Sequence, residues 1–239
     1  MEQLQGKIAL VTGGSKGIGL GIAESLIKEG MNVAVTSRSK EAIDKAAAQL
    51  NQMGPGKAIG IAADVRSLEA QQTSVERILQ EWGALDVLIA NAGLGHFASI
   101  EDLTPTQWQD TMDTNLTGVF NSIKASIPAL KDSKGYIITV ASLAGTNFFA
   151  GGAAHNASKF GLVGFTQAVM LDLRHDGVKV STIMPGSVAT HFNDHTPSSA
   201  DAWKIQPEDI GQIVAGLLRM NPRTLPSKVE VRPSQPPRR

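Results

Sequence analysis

Short apolar runs rich in Val, Ile and Ala alternate along the chain with longer segments whose apolar positions recur at helical spacing. Most of the short runs lack apolar–polar alternation, which is typical of parallel strands that helices cover on both faces. The pattern predicts strands over residues 7–12, 32–36, 57–62, 85–90, 135–141, 179–184 and 228–232. It predicts helices over residues 17–29, 40–53, 68–82, 105–130, 152–175 and 207–220. This order predicts the α/β class, with a Rossmann-like, doubly wound parallel sheet of about seven strands and helices on both faces.

The length and the uniform composition favour one domain over residues 1–239, because a chain of this length suffices for one well-buried α/β core. The least regular stretch, residues 185–206, follows the carboxyl end of a late predicted strand, where substrate loops of such sheets lie. We predict a substrate loop there, with a solvated connection as the alternative. The Pro-rich, basic residues 232–239 predict a flexible tail.

Charge, cysteine content and hydropathy argue against several classes of function. Lys plus Arg and Asp plus Glu both number 22, so no global basic excess favours nucleic-acid binding. The absence of cysteine excludes disulfides, thiol nucleophiles and zinc–thiolate sites, and we predict no other metal site. Residues 1–6 are polar and no apolar run reaches transmembrane length, so we expect a cytoplasmic protein that does not bind membranes.

A glycine-rich connection joins the first predicted strand to the first predicted helix, with the sequence Thr-Gly-Gly-Ser-Lys-Gly-Ile-Gly over residues 12–19. Its glycines allow a tight turn and bring backbone N–H groups close to a pyrophosphate, whose charge the helix N-terminus stabilises. A purely structural turn is the alternative, but the flanking strand and helix favour a dinucleotide site. The residues predicted to bind the cofactor here are Gly13, Ser15, Lys16, Gly17, Ile18 and Gly19.

The residues after the second predicted strand indicate which nicotinamide dinucleotide binds. An NAD site usually places an acidic residue there to accept hydrogen bonds from the ribose hydroxyls, whereas an NADP site needs cations. Ser37 stands about where the acid would be, Arg38 follows it, and Lys16 offers a second cation. Because a guanidinium matches the geometry of a ribose phosphate, we predict NADP(H) as the cofactor, with ordinary surface cations as the alternative.

Further motifs follow the glycine-rich connection in a fixed order. Asp64-Val65 follows the third predicted strand, Asn91-Ala92-Gly93 follows the fourth, and Asn115 lies in the sequence Asp-Thr-Asn-Leu-Thr-Gly. Ser142 follows the fifth predicted strand, and the sequence Pro-Gly-Ser-Val-Ala-Thr begins at Pro185. Each motif alone is more simply a turn, a cap or a buried polar group. Together, their order and spacing resemble the short-chain dehydrogenase/reductase family, and carbonyl or 3-oxoacyl reductases within it.

The resemblance implies a role for each motif. In the family, the positions of Asp64 and Val65 contact the adenine ring of the cofactor. The family's Asn-Ala-Gly element lies beside the cofactor and corresponds here to Asn91, Ala92 and Gly93. The loop that touches the nicotinamide and its carboxamide corresponds to Pro185, Gly186, Val188 and Thr190. The resemblance also implies a small-molecule ketone or secondary alcohol as substrate, hydride transfer as the reaction, and a homodimer or homotetramer as the assembly.

The family's catalytic motif is Tyr-x-x-x-Lys, preceded thirteen positions earlier by serine. This chain has His155 at the tyrosine position, Lys159 at the lysine position and Ser142 at the serine position. Asn115 matches the catalytic asparagine of the family. The only tyrosine, Tyr136, lies at the start of the fifth predicted strand and is not placed to substitute. The resemblance therefore implies catalytic roles for Asn115, Ser142 and Lys159, and the chain departs from the family at the acid/base, His155.

The chemistry of imidazole predicts impaired activity. In the family, the lysine lowers the pKa of the tyrosine, which gives its proton to the substrate oxygen. Lys159 lies one helical turn after His155, and an adjacent ammonium lowers an imidazole pKa from its usual value of about 6.5. His155 is therefore expected to be mostly neutral at pH 7 and a poor proton donor. Loss of positioned acid/base catalysis costs about 10²–10⁴-fold in rate.

Two alternatives stay open at this point. One is a catalytically silent NADP(H)-binding protein that acts through association, although the intact Ser142, Lys159 and Asn115 favour an enzyme. The other is that His155 acts as the acid at lower pH, with activity that rises as the imidazolium forms. The sequence does not identify the substrate. Six residues could line a partly apolar pocket that suits aromatic or aliphatic ketones, or could equally belong to the core or to an interface. They are Leu94, His96, Phe97, Phe148, Phe149 and Phe192.

Overall fold

A computed structural model describes residues 3–236, apart from the side chain of Asp194. Its seven strands are all parallel and lie in one sheet in the order β3-β2-β1-β4-β5-β6-β7. The strands are β1 (Ile8–Thr12), β2 (Asn32–Ser37), β3 (Ala58–Ala62), β4 (Val87–Ala90), β5 (Tyr136–Val140), β6 (Lys179–Pro185) and β7 (Lys228–Val231). The predicted α/β class and seven-stranded parallel sheet are confirmed.

Seven α-helices connect or follow these strands within the described residues. They are α1 (Gly17–Lys28), α2 (Lys40–Leu50), α3 (Leu68–Trp82), α4 (Pro105–Met112), α5 (Gly118–Ser133), α6 (Ala153–Leu173) and α7 (Pro207–Leu218). Local chemistry sets several helix starts. The Ser39 hydroxyl caps α2, the Ser67 hydroxyl caps α3, and Thr104 forms a capping box with Gln107 at the start of α4.

The sheet has an apolar core on each face. Alternate residues of a strand point to opposite faces, and in β1 Ala9 and Val11 join one core while Ile8 and Leu10 join the other. Helices α1, α2 and α7 pack on the first face, and α3, α5 and α6 pack on the second. Because both faces are covered, the central strands β1, β4 and β5 are buried at every position and mostly apolar, which explains the apolar runs in the sequence.

One predicted helix, over residues 105–130, is wrong as a single regular helix. The structure divides it into α4 and α5 by a π-helical turn, Asp113–Thr117, and α5 continues past Pro128 to Ser133. The predicted helix over 152–175 ends at Leu173, where a short 3-10 turn follows. The ends of the other predicted elements lie within three residues of the observed ones.

The predicted substrate loop, residues 185–206, begins at the last residue of β6 and contains no long helix or strand. It has two short 3-10 turns, Phe192–Asp194 and Ser199–Asp201, and an isolated bridge between Val188 and Ile205. Of the predicted flexible tail, residues 237–239 lie outside the described residues, and Arg232 pairs with Glu230 at 3.0 Å. No helix in residues 3–236 is both long and apolar enough to span a bilayer.

Candidate active site

The glycine-rich connection between β1 and α1 forms a backbone cradle, and side chains do not fit at its positions Gly13 and Gly19. Gly13 has a φ of +67°, and a Cβ atom there would lie 2.9 Å from the Ala92 Cα atom. A Cβ atom on Gly19 would lie 2.3 Å from the Gly13 carbonyl oxygen. Lys16, the N-cap of α1, makes no side-chain cap, so the first N–H groups of the helix keep their capacity for an external acceptor. This cradle fits a pyrophosphate.

A second connection packs against this cradle where the strand order reverses, between β1 and β4. The Thr12 hydroxyl accepts hydrogen bonds from the backbone N–H groups of Asn91 (3.0 Å) and Ala92 (3.1 Å). The Asn91 amide donates to the carbonyl oxygens of Thr12 (2.9 Å) and Gly13 (3.3 Å). Ligands of open α/β sheets bind in this kind of crevice, outside the carboxyl ends of the strands.

Two of the residues predicted to distinguish NADP from NAD, Ser37 and Arg38, lie at the carboxyl end of β2, and the third, Lys16, lies in the glycine-rich connection. Ser37 is the last residue of the strand, and its hydroxyl donates to the Ser39 carbonyl at 3.0 Å. Arg38 and Lys16 are both exposed, and within residues 3–236 neither forms an ion pair with a carboxylate. Their positive charges thus stay available to an anionic ligand.

Asp64 and Val65, predicted to lie at the adenine ring, follow β3. Arg66 holds the Asp64 carboxylate through its guanidinium at 2.7 Å, and this hydrogen bond lowers the pKa of that carboxyl below its usual value. Val65 is buried, and its carbonyl accepts a hydrogen bond from the Asn121 amide of α5 at 3.0 Å. The backbone of this connection is therefore fixed from two sides.

Asn115 lies in the π-helical turn and is fully buried. Its amide group donates to the Leu94 carbonyl (2.9 Å) and accepts from the Leu94 N–H group (2.8 Å). It also donates to the Ser158 hydroxyl at 3.1 Å, and this hydroxyl donates to the His155 carbonyl at 2.9 Å. Asn115 thus joins the connection after β4 to α6. A π-helical turn of this kind is frequent at functional sites.

Lys159 lies on α6, one turn after His155, with its side chain buried. Its Nζ atom donates to the Val140 carbonyl at the end of β5, at 3.0 Å. Burial lowers the pKa of Lys159 to about 8, so the ammonium persists at pH 7. A Cβ atom on Gly93 would lie 3.2 Å from the Asn115 Oδ1 atom and 3.8 Å from the Lys159 Nζ atom. The structure therefore brings Gly93, Asn115 and Lys159 together.

Ser142 follows β5, and its hydroxyl accepts a hydrogen bond from the Ala144 N–H group at 3.1 Å. Asn156 of α6 fixes the same connection, because its amide donates to the carbonyl oxygens of Ala144 (2.9 Å) and Asn147 (2.7 Å). Among the described residues, no hydrogen bond joins Ser142 to His155. Ser142 is thus held near the end of β5, while its hydroxyl proton has only a long contact, 3.5 Å, to the Pro185 carbonyl.

His155 is only 6% exposed, and its Nδ1 atom is buried without a hydrogen-bond partner among the described residues. The rings of Phe97 and Phe192 contact the imidazole edge-on, with centroid distances of 5.3 and 5.7 Å. Burial first, and the charge of Lys159 second, lower the pKa of His155 to about 4. This direction agrees with the neutral imidazole expected at pH 7, and burial contributes more to it than the charge of Lys159 does.

The predicted nicotinamide loop begins at Pro185, the end of β6. The Gly186 N–H group donates to the Val231 carbonyl of β7 at 2.8 Å. Val188 is bridged to Ile205, which closes the base of the loop. Thr190 reaches the glycine-rich connection, because a Cβ atom on Gly17 would lie 3.3 Å from the Thr190 Cγ2 atom. The connections after β1 and β6 therefore meet at Gly17 and Thr190.

Sequence reasoning did not single out three polar residues that hold this arrangement together. Thr12 joins β1 to the connection after β4, Ser158 accepts from Asn115, and Asn156 fixes the connection that carries Ser142. All three are buried. A signal was present for the last two, because polar residues on a helix face that packs on the core need internal partners.

In the described part of the chain, no three His, Asp or Glu side chains lie close enough together to hold a metal ion. Within the predicted substrate loop, the Nε2 atom of His195 lies 2.7 Å from the carboxylate of Asp201. Lys204 also contacts this carboxylate, at 2.5 Å, and the Ser198 N–H group donates to it at 2.9 Å. These contacts fix the second half of the loop.

Comparison with known proteins shows which family this sequence matches. A sequence model of the short chain dehydrogenase family matches residues 7–201. A putative ketoacyl reductase of Streptomyces coelicolor is 34% identical over 233 residues, 96% of this chain and 89% of that protein. The D-beta-hydroxybutyrate dehydrogenase of Cupriavidus necator is 39% identical over 189 residues, 78% of this chain and 72% of that protein.

Solved structures share the whole fold. An alcohol dehydrogenase from Thermococcus sibiricus, solved with 5-hydroxy-NADP, superimposes with a TM-score of 0.90 at 26% identity, covering 98% of this chain and 100% of that one. Other matching structures hold NADP or NADH. With a family match over most of its length and relatives above 30% identity, the chain belongs to the short-chain dehydrogenase/reductase family of oxidoreductases.

Proposed function

We propose that this chain interconverts a ketone and a secondary alcohol, that it uses NADP(H), and that His155 lowers its rate. One observation carries the proposal. Gly93, Asn115 and Lys159 converge at the carboxyl edge of the sheet, in the crevice that the glycine-rich connection also borders. Bound NADP(H) supplies or accepts the hydride. The residues that would hold it are Gly13, Ser15, Lys16, Gly17, Ile18, Gly19, Ser37, Arg38, Asp64, Val65, Asn91, Ala92, Gly93, Lys159, Pro185, Gly186, Val188 and Thr190.

The other residues of the site hold the substrate oxygen and its proton. The Ser142 hydroxyl has no short acceptor among the described residues, so it can donate a hydrogen bond to a substrate oxygen. Lys159 contributes a fixed positive charge, and Asn115 fixes the connection after β4. His155 is the weak element, because a neutral imidazole that gives up its N–H proton becomes a strongly basic imidazolate. The proton therefore moves slowly at position 155.

A turnover assay with binding controls tests this function. We expect NADPH to bind, seen as a change in its fluorescence, and to be consumed slowly with a panel of ketones at pH 7. Failure of NADPH and NADH to bind would contradict the proposal at its first step. Turnover as fast as in a typical family member would support the proposed reaction but contradict the proposal that His155 lowers the rate.

The proposed cofactor preference depends on two exposed cations, Arg38, which follows β2, and Lys16, in the glycine-rich connection. Replacing Arg38 by aspartate is expected to weaken NADPH binding about 10–100-fold, because a charge-assisted hydrogen bond to phosphate contributes about 1.5–3 kcal/mol. NADH lacks the ribose phosphate, so its affinity should fall much less. The measurement is titration of each dinucleotide by fluorescence.

Lys45→Asp is the matched control, since Lys45 is an exposed cation on α2 and lies outside the predicted cofactor site. It makes a comparable change of charge and should leave both affinities unaltered. Equal binding of NADPH and NADH by the natural chain, unaffected by Arg38→Asp, would overturn the NADP preference.

We also propose that the chain forms a homodimer or homotetramer through α5 and α6. Three large apolar side chains are exposed on these helices: Phe120 on α5, and Phe160 and Leu171 on α6. The ring centroids of Phe120 and Phe165 of α6 are 6.3 Å apart, so the two helices are in contact here. Apolar surface of this kind on long helices is typical of a protein interface.

Light scattering is expected to give at least the dimer mass, and Phe160→Glu should shift it towards the monomer. Leu79→Glu, on α3, should not; a monomeric natural chain would contradict the proposal.

A further inference from the structure

Three phenylalanines gather above His155 from three different connections at the carboxyl edge of the sheet. Phe97 follows β4, Phe149 lies between β5 and α6, and Phe192 follows β6. The centroid of the Phe97 ring lies 5.8 Å from that of Phe149 and 6.2 Å from that of Phe192. We call these three residues the phenylalanine cluster. Although Phe97 contacts both of the others, Phe97, Phe149 and Phe192 remain 40%, 49% and 38% exposed, so their rings also face outwards.

Two rings of the phenylalanine cluster cover His155. Phe97 and Phe192 contact the imidazole, and the Nδ1 atom beneath them has no partner among the described residues. Phe192 also packs tightly on the backbone, because a Cβ atom on Gly95 would lie 2.7 Å from its ring carbons. A molecule bound at His155 would therefore lie against these rings. Offset or edge-on contacts favour another ring in that place.

Charge around the cluster argues against an anionic molecule. The segments that carry the three phenylalanines, residues 94–100, 143–152 and 186–200, contain no lysine or arginine. The buried cation Lys159, one turn after His155, is directed at the Val140 carbonyl. In the loop after β6, His195 and Lys204 both contact Asp201. A carboxylate beside the cluster would thus lose water without gaining a cation.

We infer that the phenylalanine cluster selects a neutral substrate with a ring next to its carbonyl or carbinol carbon, and discriminates against substrates that carry a carboxylate. The inference rests on the proposed function and adds the substrate class. It sets this chain apart from its relative, the D-beta-hydroxybutyrate dehydrogenase, whose named substrate carries a carboxylate at pH 7. Two independent properties of the cluster support it, the aromatic contacts and the absence of basic residues from its segments.

Four probes separate the effect of the ring from the effect of the charge. Acetophenone and acetone are neutral ketones with and without a ring, and benzoylacetate and acetoacetate are the same two ketones with an added carboxylate. Ligand-observed NMR in the presence of NADPH gives their dissociation constants at pH 7. We expect the ring to strengthen binding about tenfold or more, and the carboxylate to weaken it by about the same factor.

Variants of Phe192 assign these effects to the cluster. Phe192→Ala should reduce the preference for acetophenone over acetone, and Phe192→Arg should reverse the discrimination against acetoacetate. Leu79→Ala is the matched control, because Leu79 is also 38% exposed but lies on α3. Phe149→Leu gives a second test of the ring effect should Phe192→Ala fail to fold, which circular dichroism would show.

NADPH fluorescence in the same samples distinguishes failure of the inference from failure of the function. Loss of NADPH binding by the natural chain would count against the proposed function. If NADPH binds, three results overturn the inference: acetoacetate binding as tightly as acetone, no advantage for acetophenone, or preferences that Phe192 and Phe149 variants leave unchanged.

Discussion

Replacing His155 by tyrosine is expected to raise the rate of ketone reduction by about 10²–10⁴-fold at pH 7, the usual contribution of a positioned general acid. A phenol has a pKa near 10, and the ammonium of Lys159 one turn away would lower it towards the working pH. The natural imidazole is neutral instead, because burial and Lys159 lower its pKa to about 4. The measurement is the steady-state rate of NADPH consumption with a ketone that both proteins bind.

His155→Phe is the matched control for this gain. It places a six-membered ring at the same position but supplies no proton, so its rate should stay at or below that of the natural chain. NADPH affinity should be similar in all three proteins, since position 155 is not among the residues predicted to hold the cofactor. If the natural chain is as fast as the tyrosine variant, His155 or a water beside it is a competent acid. A rate that rises as the pH falls towards 4 would identify the imidazolium as that acid.

Acid is expected to destabilise the natural chain through the same residue. The pKa of His155 is about 4 in the folded protein, against an ordinary value near 6.5 in the unfolded chain. Between these values the unfolded chain binds a proton that the folded chain does not, so the free energy of unfolding falls as the pH is lowered from 6.5 to 4. The two pKa values predict that the free energy of unfolding is about 3 kcal/mol lower at pH 4 than at pH 6.5. Urea unfolding followed by tryptophan fluorescence measures it.

The tyrosine variant isolates this contribution. Other groups titrate in the same interval, including Glu24, whose pKa burial raises above its usual value. They are common to both proteins, so the difference in unfolding free energy between the natural chain and the His155→Tyr variant reports position 155. That difference should shift in favour of the variant as the pH falls to 4. A difference that does not depend on pH would show that the folded protein accommodates the imidazolium.

The sheet could be predicted from sequence because its determinants are local. Buried strands such as β1 are apolar at all positions but the last, and the helices between them carry their own caps, such as Ser39 and Ser67. The break in the helix predicted over 105–130 has no such local cause. It depends on Asn115, whose partners are Leu94, 21 residues earlier, and Ser158, 43 residues later. Such distant contacts override helix propensity.

The candidate site also has features that the sequence predicts and features that depend on contacts between distant residues. The family resemblance implies that Gly93, Asn115 and Lys159 serve one site, and in the structure they lie together. The spacing of the motifs does not predict the cover over His155, because Phe97 and Phe192 come from connections after different strands. The direction of the pKa change follows from the charge of Lys159 alone, but its main cause, burial, depends on those rings. The catalytic and cofactor roles of these residues remain predictions.

The π-helical turn puts α5 out of phase with α4. The Gly118 N–H group bonds the Asp113 carbonyl, five residues back, so the turn holds one residue more than an α-helical turn would. Each residue of an α-helix advances the side chains by about 100°, and everything after Thr117 is rotated by that amount relative to a regular continuation. Asn121 and Ser122 reach Val65 and Gln71 only in this phase. Deleting any single residue of this turn would therefore rotate all of α5 away from α3 and from the connection after β3.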